Sequence, residues 1–188
     1  IPILVSNAFQ LYRFRHARGD ARLRFLPSML ALCVVGVIGG TWFLTATPER
    51  GLALTLGILL LGYLALRVLN PHFIVGPEAA KRWAMPAGLG AGLLHGATGI
   101  SAPIGVTFIH AMRFERNAHV YAVSAMFMAL ATFQAPSLWV AGVLRPEWLL
   151  QGVFALIPTF LFMPVGQWLS GKLSQTAFDR MILIFLGL

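Results

Sequence analysis

The sequence predicts an all-α fold, a polytopic transmembrane helical bundle with inverted-topology repeats and a re-entrant or broken helical segment at 84–112. Three observations carry this expectation. Of the 188 residues, 58% are hydrophobic and only 11% are charged, and the mean hydropathy is +0.79, which leaves too little polar surface to solvate a globule. The apolar residues fall into long runs separated by short loops that hold nearly all the charges. One run is interrupted by Gly99-Ile100-Ser101-Ala102-Pro103, where Pro103 removes an amide donor and clashes with the preceding turn.

A crossing helix needs roughly 20 apolar residues for a hydrocarbon core about 30 Å thick. Lipid-exposed backbone must bond to itself, so every run is expected to be helical. Ile1–Tyr12 is too short for a full crossing. It reads as the end of a cut membrane helix and not as the tail of a signal peptide, because no basic stretch precedes it and no small-residue cleavage site follows. The runs Leu26–Ala46, Gly51–Leu69, Ala118–Leu144 and Trp148–Leu169 each suit a crossing, and a last run starts at Ala177. With Leu188 inside that run, the chain reads as a fragment.

The run Ala84–Met112 is long for one crossing, and it reads either as one kinked span or as a hairpin that returns to its own side. Lysines and arginines discriminate the two. They lie at 13, 15, 18, 22 and 24, at 50, at 67, 81 and 82, at 113 and 116, at 145, and at 172 and 180. A spanning segment divides them nine against five, whereas a re-entrant one divides them twelve against two. Positive charge accumulates on the cytoplasmic side of short loops, which favours the hairpin. The same pattern accounts for the net charge of +8 without nucleic acid, because the cations do not line one face with interleaved aromatics.

Three ordered matches suggest a duplication. Asn7–Gln10 (NAFQ) pairs with Ala131–Gln134 (ATFQ), Gly40–Trp42 (GTW) with Gly166–Trp168 (GQW), and the stretch ending at Gly57 with the one ending at Gly187. With the hairpin not spanning, each copy holds three crossings, and an odd number inverts the second copy, as in secondary transporters. The expected organisation is residues 1–70 as the C-terminal part of repeat 1, 71–83 as a cytoplasmic linker and 84–188 as repeat 2, truncated at its end. The hairpin's counterpart is expected upstream of Ile1.

A helix restarting inside the bilayer has amides without acceptors and the positive end of the peptide dipole. Ser101 as a cap and Pro103 in the first turn suit such a restart. Thr98, Gly99, Ile100, Ser101 and Ala102 are therefore the expected anion site, built of amides and hydroxyls. The spacing of Gly88, Gly92 and Gly96 by four also suits close helix packing. His95 lies 12 residues past Trp83, roughly 18 Å deep at 1.5 Å per residue. It is either a proton-coupling group or a neutral histidine bonded to a carbonyl. Asn7, Gln10 and Gln134 are polar residues within apolar runs, suited to completing the anion's shell or to bonding between helices. His16, His72, His110 and His119 lie near loops and read as interfacial. The single Cys33 provides neither a disulfide nor a thiolate metal site, and no cofactor or metal is expected. Two other classes compete: a membrane scaffold or assembly subunit, for which the break is a packing device, and an intramembrane serine hydrolase using Ser101 with His95.

The stretch GLGAGLLHGATGISAPIGVTF (88–108), followed by PVGQWLSGKLSQTAFDRMILIFLGL (164–188), resembles the second half of the TauE/SafE sulfite-exporter family, and IPILVSNAFQ resembles the end of its first conserved segment. The pattern G-x-x-x-G-x-x-G-x-x-A-P is met by Gly92, Gly96, Gly99, Ala102 and Pro103. The resemblance implies a non-enzymatic, multi-pass permease of a bacterial-type inner (plasma) membrane. Its implied partners are the lipid bilayer and a small sulfur-containing anion, such as sulfite, sulfate, thiosulfate or an organosulfonate like sulfoacetate. A homo-oligomer is compatible with it. The family often shows G-x-G-G at the break, where this chain has Gly99-Ile100-Ser101-Ala102.

Overall fold

The computed structural model describes residues 1–69 and 75–172. The run from Ala177 onward lies outside the described residues, as do His72, Arg180 and the second copy of the third repeat match. The helices are α1 (Pro2–Arg13), α2 (Leu26–Ala46), α3 (Glu49–Leu69), α4 (Pro77–Thr98), α5 (Thr107–Ala111), α6 (Arg116–Val140), α7 (Pro146–Phe154) and α8 (Leu156–Lys172). Short 3-10 turns at Arg15–Gly19 and Ala21–Phe25 join α1 to α2, and a π-helical turn, Ala102–Val106, precedes α5. The described part of the chain is all-helical, without strands. Among the described residues, three stretches are long and apolar enough to cross a membrane: Ala21–Ala46, Arg116–Val140 and Pro146–Gly166.

The expected boundaries are not all kept, and α6 ends at Val140, four residues before the end of its apolar run. α4 starts seven residues before Ala84, because Gly76 is extended at its cap and Pro77 fits a first turn that needs no amide. The run expected as one helix over 148–169 is divided at Ala155. Pro158 has no amide to offer Phe154, and its ring crowds that carbonyl, so the hydrogen-bond ladder is interrupted there.

Residues 3–145 form one compact unit, and Ile1–Pro2 with the chain from Pro146 form another. In the second unit the Ile1 side chain packs against Gly152, and no residue of α7 is buried.

The first unit is organised around contact between α2 and α4. A Cβ added at Gly88, Gly92 or Gly96 would overlap the carbonyl of Met29, Cys33 or Val37 respectively. From the other helix, Gly36 and Gly40 face the backbone at Leu89 and Leu93. Paired positions rise together along both helices, so α2 and α4 run parallel. The lost side chains are what permit this approach, which gains dispersion contact along the whole seam. Met29, Cys33 and Val37 are completely buried against it, and Ala122, Met126 and Leu130 of α6 complete the core.

The broken segment is a hairpin. The amide of Val75, just before α4, donates to the carbonyl of Ala111 at the end of α5 at 2.9 Å, so the two feet of the segment meet. Higher up, Gly105 lies against Ala91 and Gly90 against Ile104. The α1–α2 connection lies at the same end. Phe25 stacks on Phe114 with ring centroids 6.0 Å apart and 7° between planes, and His16 lies 3.5 Å from the Asn117 side chain. The basic positions 13, 15, 18, 22, 24, 81, 82, 113 and 116 therefore collect at one end of this unit, the arrangement that the charge distribution favours.

Candidate anion site

The break begins where α4 ends. Gly99 has φ +76°, in the left-handed region that costs most residues strain, and its amide donates to the His95 carbonyl at 2.7 Å. This is the common left-handed stop of a helix, and glycine is suited to it. Thr98 seals the same turn: its hydroxyl donates to the Leu94 carbonyl at 2.7 Å and accepts from the Ile100 amide at 3.2 Å. The amides of Gly99 and Ile100 and the Thr98 proton are thus occupied within the turn. The amides left at the start of the second arm are those of Ser101 and Ala102, which have no preceding helical turn to receive them.

Ser101 stands at the cap position, but its side chain does not cap. The physical reason lies in the next residues. A cap hydroxyl bonds the amide two or three positions on; here the second helical residue is Pro103, which has no amide, and the Ile104 amide goes to the Ser101 carbonyl at 3.3 Å. The Gly105 amide also goes to that carbonyl, at 2.9 Å. The arm then opens with a π-helical turn, a geometry often found at functional positions. The Ser101 hydroxyl, 2% exposed, is left without a partner.

Two more buried polar atoms share this condition, the Nδ1 of His95 and the Oγ1 of Thr41. Among the described residues these three are the buried side-chain polar atoms that lack a hydrogen bond. All lie at one level of the unit. Thr41 of α2 abuts Gly96, its amide only 2.8 Å from where a Gly96 Cβ would stand. His95 precedes that glycine, and Ser101 follows within the break. Thr41 stands fifteen residues after Leu26, so the level is about 22 Å along α2 at 1.5 Å per residue.

Gln134 reaches the same level from α6, donating through Nε2 to the His95 carbonyl at 3.1 Å. The other two polar positions named from the sequence do not join it. Gln10 accepts from the Ser124 hydroxyl at 3.0 Å, ten residues before Gln134 and about 15 Å away along α6. Asn7 donates to the Ile3 carbonyl in its own helix at 2.7 Å. Gly99, Ile100 and Ala102 are exposed. Ser101 and His95 make no hydroxyl–imidazole bond, since Oγ and Nδ1 are both without partners, and the pairing that activates a serine nucleophile is not formed.

Thr41 was not among the candidates read from the sequence, although a signal for it exists. It is the central residue of the GTW repeat element, whose second copy places Gln167 there, so both copies put a polar residue where an apolar one would be expected.

The arrangement is a buried set of neutral donors and acceptors at a helix restart, without a described His, Cys, Asp or Glu cluster that could hold a metal ion. No curated protein and no solved structure matches the chain. A family model does match, along all of residues 1–188. On that match, this chain, with its membrane-length apolar helices and its broken hairpin, belongs to the sulfite exporter TauE/SafE family.

Proposed function

We propose that this chain is a secondary carrier of small sulfur oxyanions (sulfite, sulfate, thiosulfate or an organosulfonate) in the inner (plasma) membrane, and that the anion binds where the hairpin restarts. The observation that carries this reading is that three buried atoms without partners, the Ser101 Oγ, the Thr41 Oγ1 and the His95 Nδ1, belong to residues in or beside the break. A buried hydroxyl without a partner costs roughly 1–3 kcal/mol. A packing device gains nothing from three such groups together, whereas a ligand site gains one bond from each.

In this reading the Ser101 hydroxyl and the amides of Ser101 and Ala102 donate to the anion, with Thr41 on the facing helix. The left-handed turn at Gly99 exposes the restart, and the α2–α4 glycine seam holds the parts in register. Gln134 ties α6 to the carbonyl at the end of α4. His95 is the group that exchanges a proton as the anion arrives or leaves. Neutral donors hold an oxyanion reversibly, which suits transport without a chemical step. Inverted repeats, with residues 1–70 and 84–188 as parts of the two copies, would supply the opposed hairpin and the alternation of access.

The test is transport by the full-length chain in vesicles, with a panel of labelled sulfite, sulfate, thiosulfate and sulfoacetate. Gly99→Leu, which forces a side chain into the left-handed region, and Ser101→Ala are each expected to lower the flux of the preferred anion at least tenfold. Flux unchanged in both variants refutes the site. Absence of flux and of anion-dependent thermal stabilisation for every member of the panel refutes the carrier in favour of a scaffold.

A further inference from the structure

At the basic end of the first unit a recess of about 80 Å³ opens between the α1–α2 connection and the two feet of the hairpin. Its apolar wall is Phe25, Val75 and Phe114, of which Phe25 and Val75 are buried. Its rim carries Arg22, Arg24 and Lys81. Three separate segments thus contribute to one cavity: Arg22 and Arg24 from the connection, Lys81 from the first foot and Phe114 from beyond the second.

The three cations differ in state. Arg22 is held in place by a two-pronged contact to Asp20, Nε to Oδ1 at 3.1 Å and Nη2 to Oδ2 at 2.8 Å, with its guanidinium carbon 5.6 Å from the Phe114 ring centroid. That leaves Nη1 available. Lys81 meets Glu78 at 3.1 Å, an exposed pair that a better acceptor displaces at little cost. Arg24 makes no ion pair among the described residues.

We propose that this recess binds the phosphate of an anionic phospholipid headgroup. The chemistry matches on both sides. The cations lie where charge collects beside the membrane, and a phosphate accepts several charge-assisted bonds at once. The apolar wall suits the glycerol and upper chain of a lipid. A recess of about 80 Å³ accepts a compact group such as a phosphate. A lipid seated there bridges the connection to both feet beside the Val75–Ala111 bond, and so braces the base of the hairpin that carries the break.

The test uses the full-length chain in nanodiscs of phosphatidylcholine with increasing phosphatidylglycerol, read by thermal unfolding. The anionic lipid is expected to raise the midpoint in a saturable manner. Arg24→Gln with Lys81→Gln should shift the half-saturating fraction of phosphatidylglycerol upward by about tenfold or more, since each removes a charge-assisted bond to the seated phosphate. Arg13→Gln with Arg18→Gln removes the same charge at the same end outside the recess, and should leave half-saturation unchanged. Equal losses in the two double variants would assign the effect to diffuse electrostatics and overturn the site. So would a midpoint insensitive to phosphatidylglycerol. If inorganic phosphate in neutral nanodiscs reproduces the shift, the ligand is free phosphate and the lipid assignment fails.

Discussion

A group kept for a ligand should weaken the empty protein, and Ser101 provides the sharpest test of that trade. Its hydroxyl is buried and partnerless. Ser101→Ala relieves a desolvation penalty of roughly 1–3 kcal/mol. It also removes one buried heavy atom, whose lost contacts are comparable to a methylene at about 0.8 kcal/mol. The difference is a gain of about 0–2 kcal/mol for the anion-free protein. At about 2–4 °C per kcal/mol for a chain of this size, the anion-free midpoint rises by up to about 8 °C. The anion-bound state moves oppositely. A hydrogen bond to a charged group is worth about 1.5–3 kcal/mol, so affinity should fall roughly tenfold to a hundredfold. The assay is thermal unfolding of purified full-length protein at rising sulfite concentration, because ligand binding shifts the midpoint in proportion to its occupancy. Wild type is expected to start lower and gain more, and the variant to start higher and gain less. A variant that is less stable without anion and keeps the full sulfite-dependent shift would show that the hydroxyl is structural, and the argument from partnerless groups would fall.

Other expectations follow from the same geometry. Gly92→Ala places a methyl against the Cys33 carbonyl, with the carbonyl carbon at 2.9 Å, and overpacking of this kind should cost about 1–3 kcal/mol. Gly57→Ala, which meets nothing within 4 Å, is the control, and equal thermal midpoints would refute the seam. Gln134→Leu removes one of two donors on the His95 carbonyl and should lower stability by about 1 kcal/mol together with anion flux; flux at the wild-type level would separate Gln134 from the site. Single cysteines replacing Ala79 and Arg113 should react with a membrane-impermeant maleimide from one side and one replacing Arg145 from the other, while buried Cys33 stays silent; opposite-side labelling at 79 and 113 would exclude the hairpin. His95→Gln should flatten the pH dependence of transport, and an unaltered profile would remove the proton role.

What could be read in the one-dimensional chain depended on whether the physical cause was local. Helix positions were legible because hydrocarbon tolerates little else, and each described apolar run is helical. The hairpin was legible because arginine and lysine distribute by side of the membrane, and the Val75–Ala111 bond joins the feet as that distribution requires. The break was legible from Pro103, whereas the left-handed stop at Gly99 shows only in the folded backbone. The division at Ala155 was missed, although Pro158 marked it, because the run was read by hydropathy, and proline changes hydrogen bonding without changing apolarity.

The tertiary structure decided which polar groups have partners, a matter of what lies across an interface. Ser101 was expected to cap, and only the competing Ile104 and Gly105 amides at its carbonyl show why the hydroxyl stays free. Gln10 and Gln134 look equivalent in the repeat, yet one meets Ser124 and the other His95. Thr41 joins the break because the glycines of α2 and α4 let two backbones touch. Composition and spacing determine that the chain crosses lipid, doubles back and breaks before a proline, since these follow from solvation and backbone sterics within one segment. Which side chains then face the break depends on the register between segments, and that is set only when the helices pack.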